Sequence, residues 1–195
     1  MLVVGDSKPI RQILIHLVAM RFACLFLLLG LPHGIFAQSS LSEYQVKALF
    51  LFNFAKYVEW PVEAFSTSNA PIIIGIVGIS PCGEHLQRAV QGKQVAGRSI
   101  VIRQVEKPEE MSQCHMLFIG DSEKRRLGEL LDQVRDRPVL TVGESDRFAQ
   151  QGGVIGFVKK EGKVRLEIDL KAGRQARLEI SSKLLSVADT VIGKQ

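Results

Sequence analysis

Pro71-Ile72-Ile73-Ile74-Gly75-Ile76-Val77-Gly78 is apolar or glycine after its opening proline, and nearly every side chain in it is β-branched. A run without polar alternation suits a strand covered on both faces, the environment of a parallel sheet. Downstream, Glu84 to Gln91 has helical spacing through Leu86, Ala89 and Val90, and Gly92 and Gly97 end it. Ser99 to Val105 reads as a second strand, Lys107 to Met111 as a polar connection with room for one helical turn, and Met116 to Ile119 as a third strand. Ser122 can cap a helix over Glu123 to Val134 with Leu127, Leu130, Leu131 and Val134 inward. Pro138 to Val142 is a fourth strand, and a short helix around Asp146 to Gln150 precedes Gly152-Gly153. Strands alternating with helical patterns of about ten residues are the signature of βαβ units.

The last strands differ. Val154 to Val158 is apolar, but Lys163 to Asp169 alternates, with Val164, Leu166 and Ile168 on one face and Arg165, Glu167 and Asp169 on the other. Lys159 to Gly162 reads as their hairpin loop, so one strand runs antiparallel near an edge with its polar face wet. Leu170 to Arg177 and Ser182 to Ile192 read as two closing helices. The predicted class is α/β: a mostly parallel sheet, helices on both faces and a C-terminal hairpin strand.

Upstream lies Leu41 to Pro61, LSEYQVKALFLFNFAKYVEWP. Ser42 and Gln45 form a capping box, Leu41 can pack on Val46, and Pro61 stops the helix near Tyr57 to Glu59. A helix this apolar has little face left for water and packs on the sheet. Some of its aromatic face is a candidate for docking a partner.

Further toward the N-terminus, Phe22 to Leu31 is an uncharged apolar run of ten residues after Arg21, followed by Pro32 and Gly34. Ten residues fall short of the roughly 20 that span a bilayer. With Ile35 and Ala37 as a cleavage site, residues 1–37 read as a secretory signal peptide and 38–195 as one domain. Met20-Arg21 is a conventional start for such a signal, which makes 1–19 a candidate upstream extension. The predicted location is the periplasm.

The chain carries 25 basic and 20 acidic residues; Lys8, Arg11, Arg21 and Asp6 precede Gln38, leaving 22 and 19. A spread excess this small is no nucleic-acid footprint. Cys24 leaves with the signal, and Cys82 and Cys114 remain. In an oxidising compartment an even pair reads as a disulfide, worth roughly 3.5 to 4 kcal/mol for a loop of about 33 residues. Cys82, His85, Cys114 and His115 also supply four zinc-type ligands, although neighbours in a strand point to opposite faces. The disulfide is the preferred reading, and no metal is assigned. Gly75 and Gly78 lack the spacing and the Lys of a phosphate loop. Gly78-Ile79-Ser80-Pro81-Cys82 falls one glycine short of a nucleophile elbow, and His85 and His115, the only histidines after the signal, stand upstream of most of the acids, against the hydrolase order of Ser, acid, His. No catalytic residue and no cofactor is assigned.

EYQVKALFLFNFAKYVEWP, PIIIGIVG, the cysteine pair, CHMLFIGDSE, PVLTVGES, GGVIGFV and LEIDL to ISSKLLSVA, in that order, cover most of Glu43 to Ala188. Together they resemble the YfiR family of periplasmic proteins. The resemblance implies a mostly parallel sheet flanked by helices and no catalysis. It implies a brake that binds the periplasmic part of an inner-membrane diguanylate cyclase, or another membrane sensor, and keeps it inactive. An outer-membrane OmpA-like lipoprotein would release the brake, raising cyclic di-GMP and biofilm formation. The bridge between Cys82 and Cys114 carries over as a stabilising, redox-responsive element, while the second cysteine pair of some relatives is missing here. A homodimer is compatible with this reading. The candidate partner surface is Arg165, Glu167 and Asp169 with Trp60 and Phe157. The alternative is a small-molecule-binding module feeding a membrane sensor, its crevice at the strand ends near Gly78, Gly120 and Gly143-Glu144.

Overall fold

The computed structural model describes residues 41–194; the expected signal peptide and the start at Met20 lie outside the described residues. The first helix, α1, spans Glu43–Tyr57. Its capping box forms as expected: Gln45 N–H donates to Ser42 Oγ and Ser42 N–H to Gln45 Oε1. The chain continues through β1 (Val58–Glu59), β2 (Ile72–Val77), α2 (Cys82–Val90), β3 (Gln94–Val95), β4 (Arg98–Val105), α3 (Pro108–Met111) and β5 (Met116–Ile119). A 3₁₀ segment (Asp121–Arg126) leads into α4 (Leu127–Gln133), followed by β6 (Leu140–Gly143), β7 (Ile155–Lys160), β8 (Lys163–Asp169), α5 (Leu170–Gln175), β9 (Glu179–Ile180), α6 (Ser182–Leu185) and β10 (Thr190–Ile192).

The main sheet has eight strands in the order β10-β8-β7-β6-β5-β2-β4-β3. Its centre, β4-β2-β5-β6-β7, is parallel throughout. Chain direction across the sheet reverses between β2 and β5, which is the topological switch point of a doubly wound fold. β1 and β9 form a separate antiparallel pair.

Alternation along β2 divides the core. Ile72, Ile74 and Ile76 face α1 and α2 together with Leu51, Phe54, Leu86, Met116 and Phe118. Val77, with Leu117 and Ile119 of β5, faces the opposite cluster of Met111, Leu127, Leu130, Leu131 and Phe148. Full burial of a side chain such as Phe54 contributes about 2 to 3 kcal/mol. Phe148 lies against Gly143 and Gly153, where any Cβ would collide with its ring.

Two sequence expectations are corrected. Ser182 to Ile192 is not one helix: α6 is a single turn capped by Ser181, and Thr190–Ile192 pairs parallel to β8 as the edge of the sheet. Apolar residues at Leu184, Leu185 and Ala188 mimic a helical stripe, but ladder bonds to β8 outweigh so short a helix. The second correction concerns the cysteines. Cys82 and Cys114 are both unbonded. Cys82 belongs to the cluster under α1 and α2 and Cys114 to the cluster under α4, so the sheet lies between them. A disulfide needs Cα atoms within about 7 Å and converging Cβ vectors, which residues on opposite sheet faces do not provide. The zinc reading fails on the same division.

Candidate functional site

The apolar stripe of α1, Ala48, Leu51, Phe54 and Ala55, includes one cation: Lys47 is only 5% exposed. Its Nζ lies 2.6 Å from Glu144 Oε2 and 2.7 Å from Glu43 Oε1. Glu144 stands where the chain leaves β6, and its other oxygen accepts a hydrogen bond from the Asp121 N–H at 3.2 Å. Glu43 continues the chain of charges to Lys159 Nζ on β7 at 3.1 Å. Lys47 also lies over the Tyr44 ring, 4.7 Å from its centroid. Burial alone would lower the Lys47 pKa, but hydrogen bonds to Glu144 and Glu43 overcome it and raise it. Lys47 and then Lys159 hold the Glu43 carboxyl below its ordinary value.

Beside this ion chain opens a cleft of about 470 Å³, bounded by Glu43, Lys47, Glu144, Arg147, Lys159 and Glu167 among others. It is the place where a buried charge cluster and an open surface meet. A second cleft of about 450 Å³ lies beside α4 and α5 at the other end of β6, with Thr141 and Val139 in its wall. Among the described residues no buried ion pair borders that one.

The switch point itself is filled by the protein. Gly78 has φ +82°, and a Cβ there would strike the Ser122 side chain. Ser122 Oγ accepts from the Ile79 N–H at 3.0 Å, and Ser80 Oγ accepts from the Cys82 N–H at 3.2 Å. Glu144 holds the Asp121 N–H, so backbone donors at this crevice are already answered by side chains. The usable opening is displaced from Gly78 and Gly120 to the β6–β7 side, next to Gly143-Glu144.

The residues expected to form one partner surface are scattered. Glu167 lines the cleft and accepts from Gln150 Nε2 at 2.8 Å. Arg165 is exposed on the same strand face. Asp169 caps α5, accepting from the Lys171 and Ala172 N–H groups. Phe157 is 4% exposed and belongs to the core, 5.9 Å from Phe54 and 6.0 Å from Phe50 by ring centroid, although it also contributes to the cleft wall. Trp60 sits at the far end of the sheet, where its Nε1–H donates to His115 O at 2.8 Å.

Around Trp60 the sheet is closed by a different device. The His115 Nδ1 accepts from the Ile73 N–H at 3.1 Å, which leaves Nε2 to donate to Ala64 O at 3.1 Å. Its ring stacks on Phe65 at 4.4 Å, and Arg98 covers the other side of Phe65 at 3.7 Å. Burial lowers the His115 pKa, with Arg98 adding to the effect and the Ala64 bond opposing it. Burial also pushes the thiols up, to about 12 for Cys82 and about 11 for Cys114, so neither offers a thiolate.

Sequence reasoning missed Lys47 and Arg147. Lys47 lies four residues before Leu51 and seven before Phe54 on a helix, so its place on the buried stripe was a readable signal. Its partner Glu144 was marked only as a strand end. Arg147, at φ +57°, gave no signal at all.

The model of the family described as YfiR/HmsC-like matches residues 44–189. No functionally curated protein matches the chain. The crystal structure of a conserved domain protein from Vibrio cholerae O1 biovar El Tor is similar, with a TM-score of 0.50 and 13% identity. The match covers 78% of this chain and 61% of that one, so the present chain spans less than two thirds of its relative. At that identity the likeness is one of fold.

Proposed function

The chain belongs to the YfiR/HmsC-like family, and from that membership we propose that it is a periplasmic, non-enzymatic regulator. It binds the periplasmic part of an inner-membrane diguanylate cyclase and represses it, thereby holding down cyclic di-GMP and biofilm formation. The observation that carries this reading is the family match over residues 44–189, most of the described domain. Among the described residues no helix is long and apolar enough to cross a membrane, which agrees with a body that reaches its partner from outside the bilayer. Relief by an OmpA-like lipoprotein belongs to the same proposal. A repressor of this kind acts by preferring the inactive state of its partner; full switching takes a preference of about 5.5 kcal/mol. Redox control through a Cys82–Cys114 bridge is not part of it.

Deleting the gene is expected to raise cellular cyclic di-GMP, and re-expression to restore it, with the tagged protein capturing a cyclase from solubilised membranes. An unchanged cyclic di-GMP level on deletion would overturn the proposal. The 470 Å³ cleft favours one second reading, a small-molecule module. Under it, a metabolite screen would raise the melting temperature of the purified domain without any membrane protein.

A further inference from the structure

β7 outruns its neighbour. β6 pairs with it only at Val142↔Ile155 and Gly143↔Gly156, whereas the β7–β8 ladder continues to Lys160↔Lys163. Four residues, Phe157 to Lys160, therefore lack a strand on one side, a length of about 13 Å. The register says which backbone groups face that side. In an antiparallel ladder, pairs that exchange hydrogen bonds alternate with pairs that do not. Asp169 N–H donates to Val154 O. At the other end, the turn residues Glu161 and Gly162, at φ +52° and +73°, close a two-residue hairpin on Lys160↔Lys163. Both ends put the bonded β7 positions at Val154, Gly156, Val158 and Lys160. Phe157 and Lys159 thus aim backbone groups away from β8, into the cleft that Glu43, Glu144, Arg147 and Glu167 border. No strand among the described residues takes up the Lys159 N–H or carbonyl. Arg147 and its neighbour Asp146, both exposed at the rim, make no ion pair among the described residues.

The geometry points to strand addition at this slot: a short extended segment of the protein partner lies along Phe157 to Lys160, bonds the Lys159 backbone and sets an acidic side chain against Arg147. The inference rests on the reading of the chain as a regulator of a membrane protein and supplies its mode of contact. Backbone bonds give such a contact its strength, and alternate side chains give it selectivity. The Arg147 cation favours an acidic side chain at one position of that segment, and the Asp146 and Glu167 carboxylates in the same lining favour a basic one beside it.

The test uses the full-length tagged protein in the gene-deletion strain. Lys159→Pro removes the N–H facing the slot while leaving the bonded positions of the β7–β8 ladder intact. Lys159→Ala keeps that N–H and loses only the side chain, and Lys163→Ala, on β8 outside the slot, is a surface control on the same hairpin. Capture of the cyclase from solubilised membranes is expected to fall about tenfold or more with Lys159→Pro and by less with Lys159→Ala. Lys163→Ala is expected to capture as the wild type does, and cyclic di-GMP should follow capture. Wild-type repression by Lys159→Pro overturns the inference and leaves the regulator reading standing; failure of the wild-type gene to restore repression overturns both. If circular dichroism shows Lys159→Pro unfolded, Arg147→Glu decides: lost capture supports the slot, and undiminished capture sinks it. A photo-crosslinking residue at position 147 should yield an adduct with the cyclase, and an adduct with a second copy of this chain would overturn the assignment.

Discussion

The two ends of the central sheet are fastened in opposite ways. At the amino end a neutral imidazole, His115, joins the Ile73 amide to the Ala64 carbonyl and is sealed by Phe65 and Trp60. At the carboxyl end four charges in series, Glu144, Lys47, Glu43 and Lys159, tie α1 to β6 and β7. Rings that stack leave no opening. Charges spaced along one helical turn and two strands border an open cleft, so the end held by ions is the one where buried charge meets a surface; the cleft at the other end of β6 lies beside α4 and α5.

The largest expected effect breaks the charged end. Lys47→Met strands the Glu144 carboxylate, whose side chain is 6% exposed, and should cost about 3 to 5 kcal/mol in urea unfolding. Lys47→Met with Glu144→Gln should recover most of that, because no charge is then left buried; an equal loss in the double variant would show that packing rather than charge holds this end. At the amino end Trp60→Phe removes one hydrogen bond to His115 O and should cost about 1 kcal/mol.

Acid separates the two ends more finely. The folded His115 pKa is below its ordinary 6.5, so the stability it contributes is whole above that value and is lost as the pH falls. Protonating Nδ1 would also break its bond from the Ile73 N–H, beside the fixed charge of Arg98. Glu43 is lowered from 4.5, and its contribution is lost only as the pH falls below that value. Melting temperatures measured from pH 7.5 to 5 should therefore decline through the amino end first, and His115→Gln should flatten that decline. A decline unaltered by His115→Gln would assign it elsewhere. The smallest expected effect is none: reductant should leave the melting temperature unchanged, and both thiols should titrate after denaturation without reductant. A reductant-sensitive melt would contradict the separation of Cys82 from Cys114 across the sheet.

Much of this architecture was legible because local signals agreed with it. The Ser42-Gln45 box placed α1, the uninterrupted Ile72 to Val77 run placed a doubly covered strand, and the Lys163 to Asp169 alternation placed the hairpin partner. What escaped depends on tertiary position. Thr190–Ile192 is a strand only because β8 offers it an edge. The cysteine pair looked bridgeable because sequence separation carries no information about which face of a sheet a side chain takes. Of the proposed contact residues, Glu167 belongs to the cleft, whereas Asp169 and Trp60 are consumed by capping and by the His115 lock. Glu144 and Arg147 became meaningful only when β6 was seen to end at Gly143.

That ending traces to Phe148, which can lie flat on Gly143 and Gly153 only because neither carries a β-carbon. An alanine at position 143 would push the aromatic away and redraw the loop that follows, altering how far β7 stands alone without touching any charged group. Recognition by this protein is thus set, in part, by two absent methyls, and its partners could be re-specified from the interior outward.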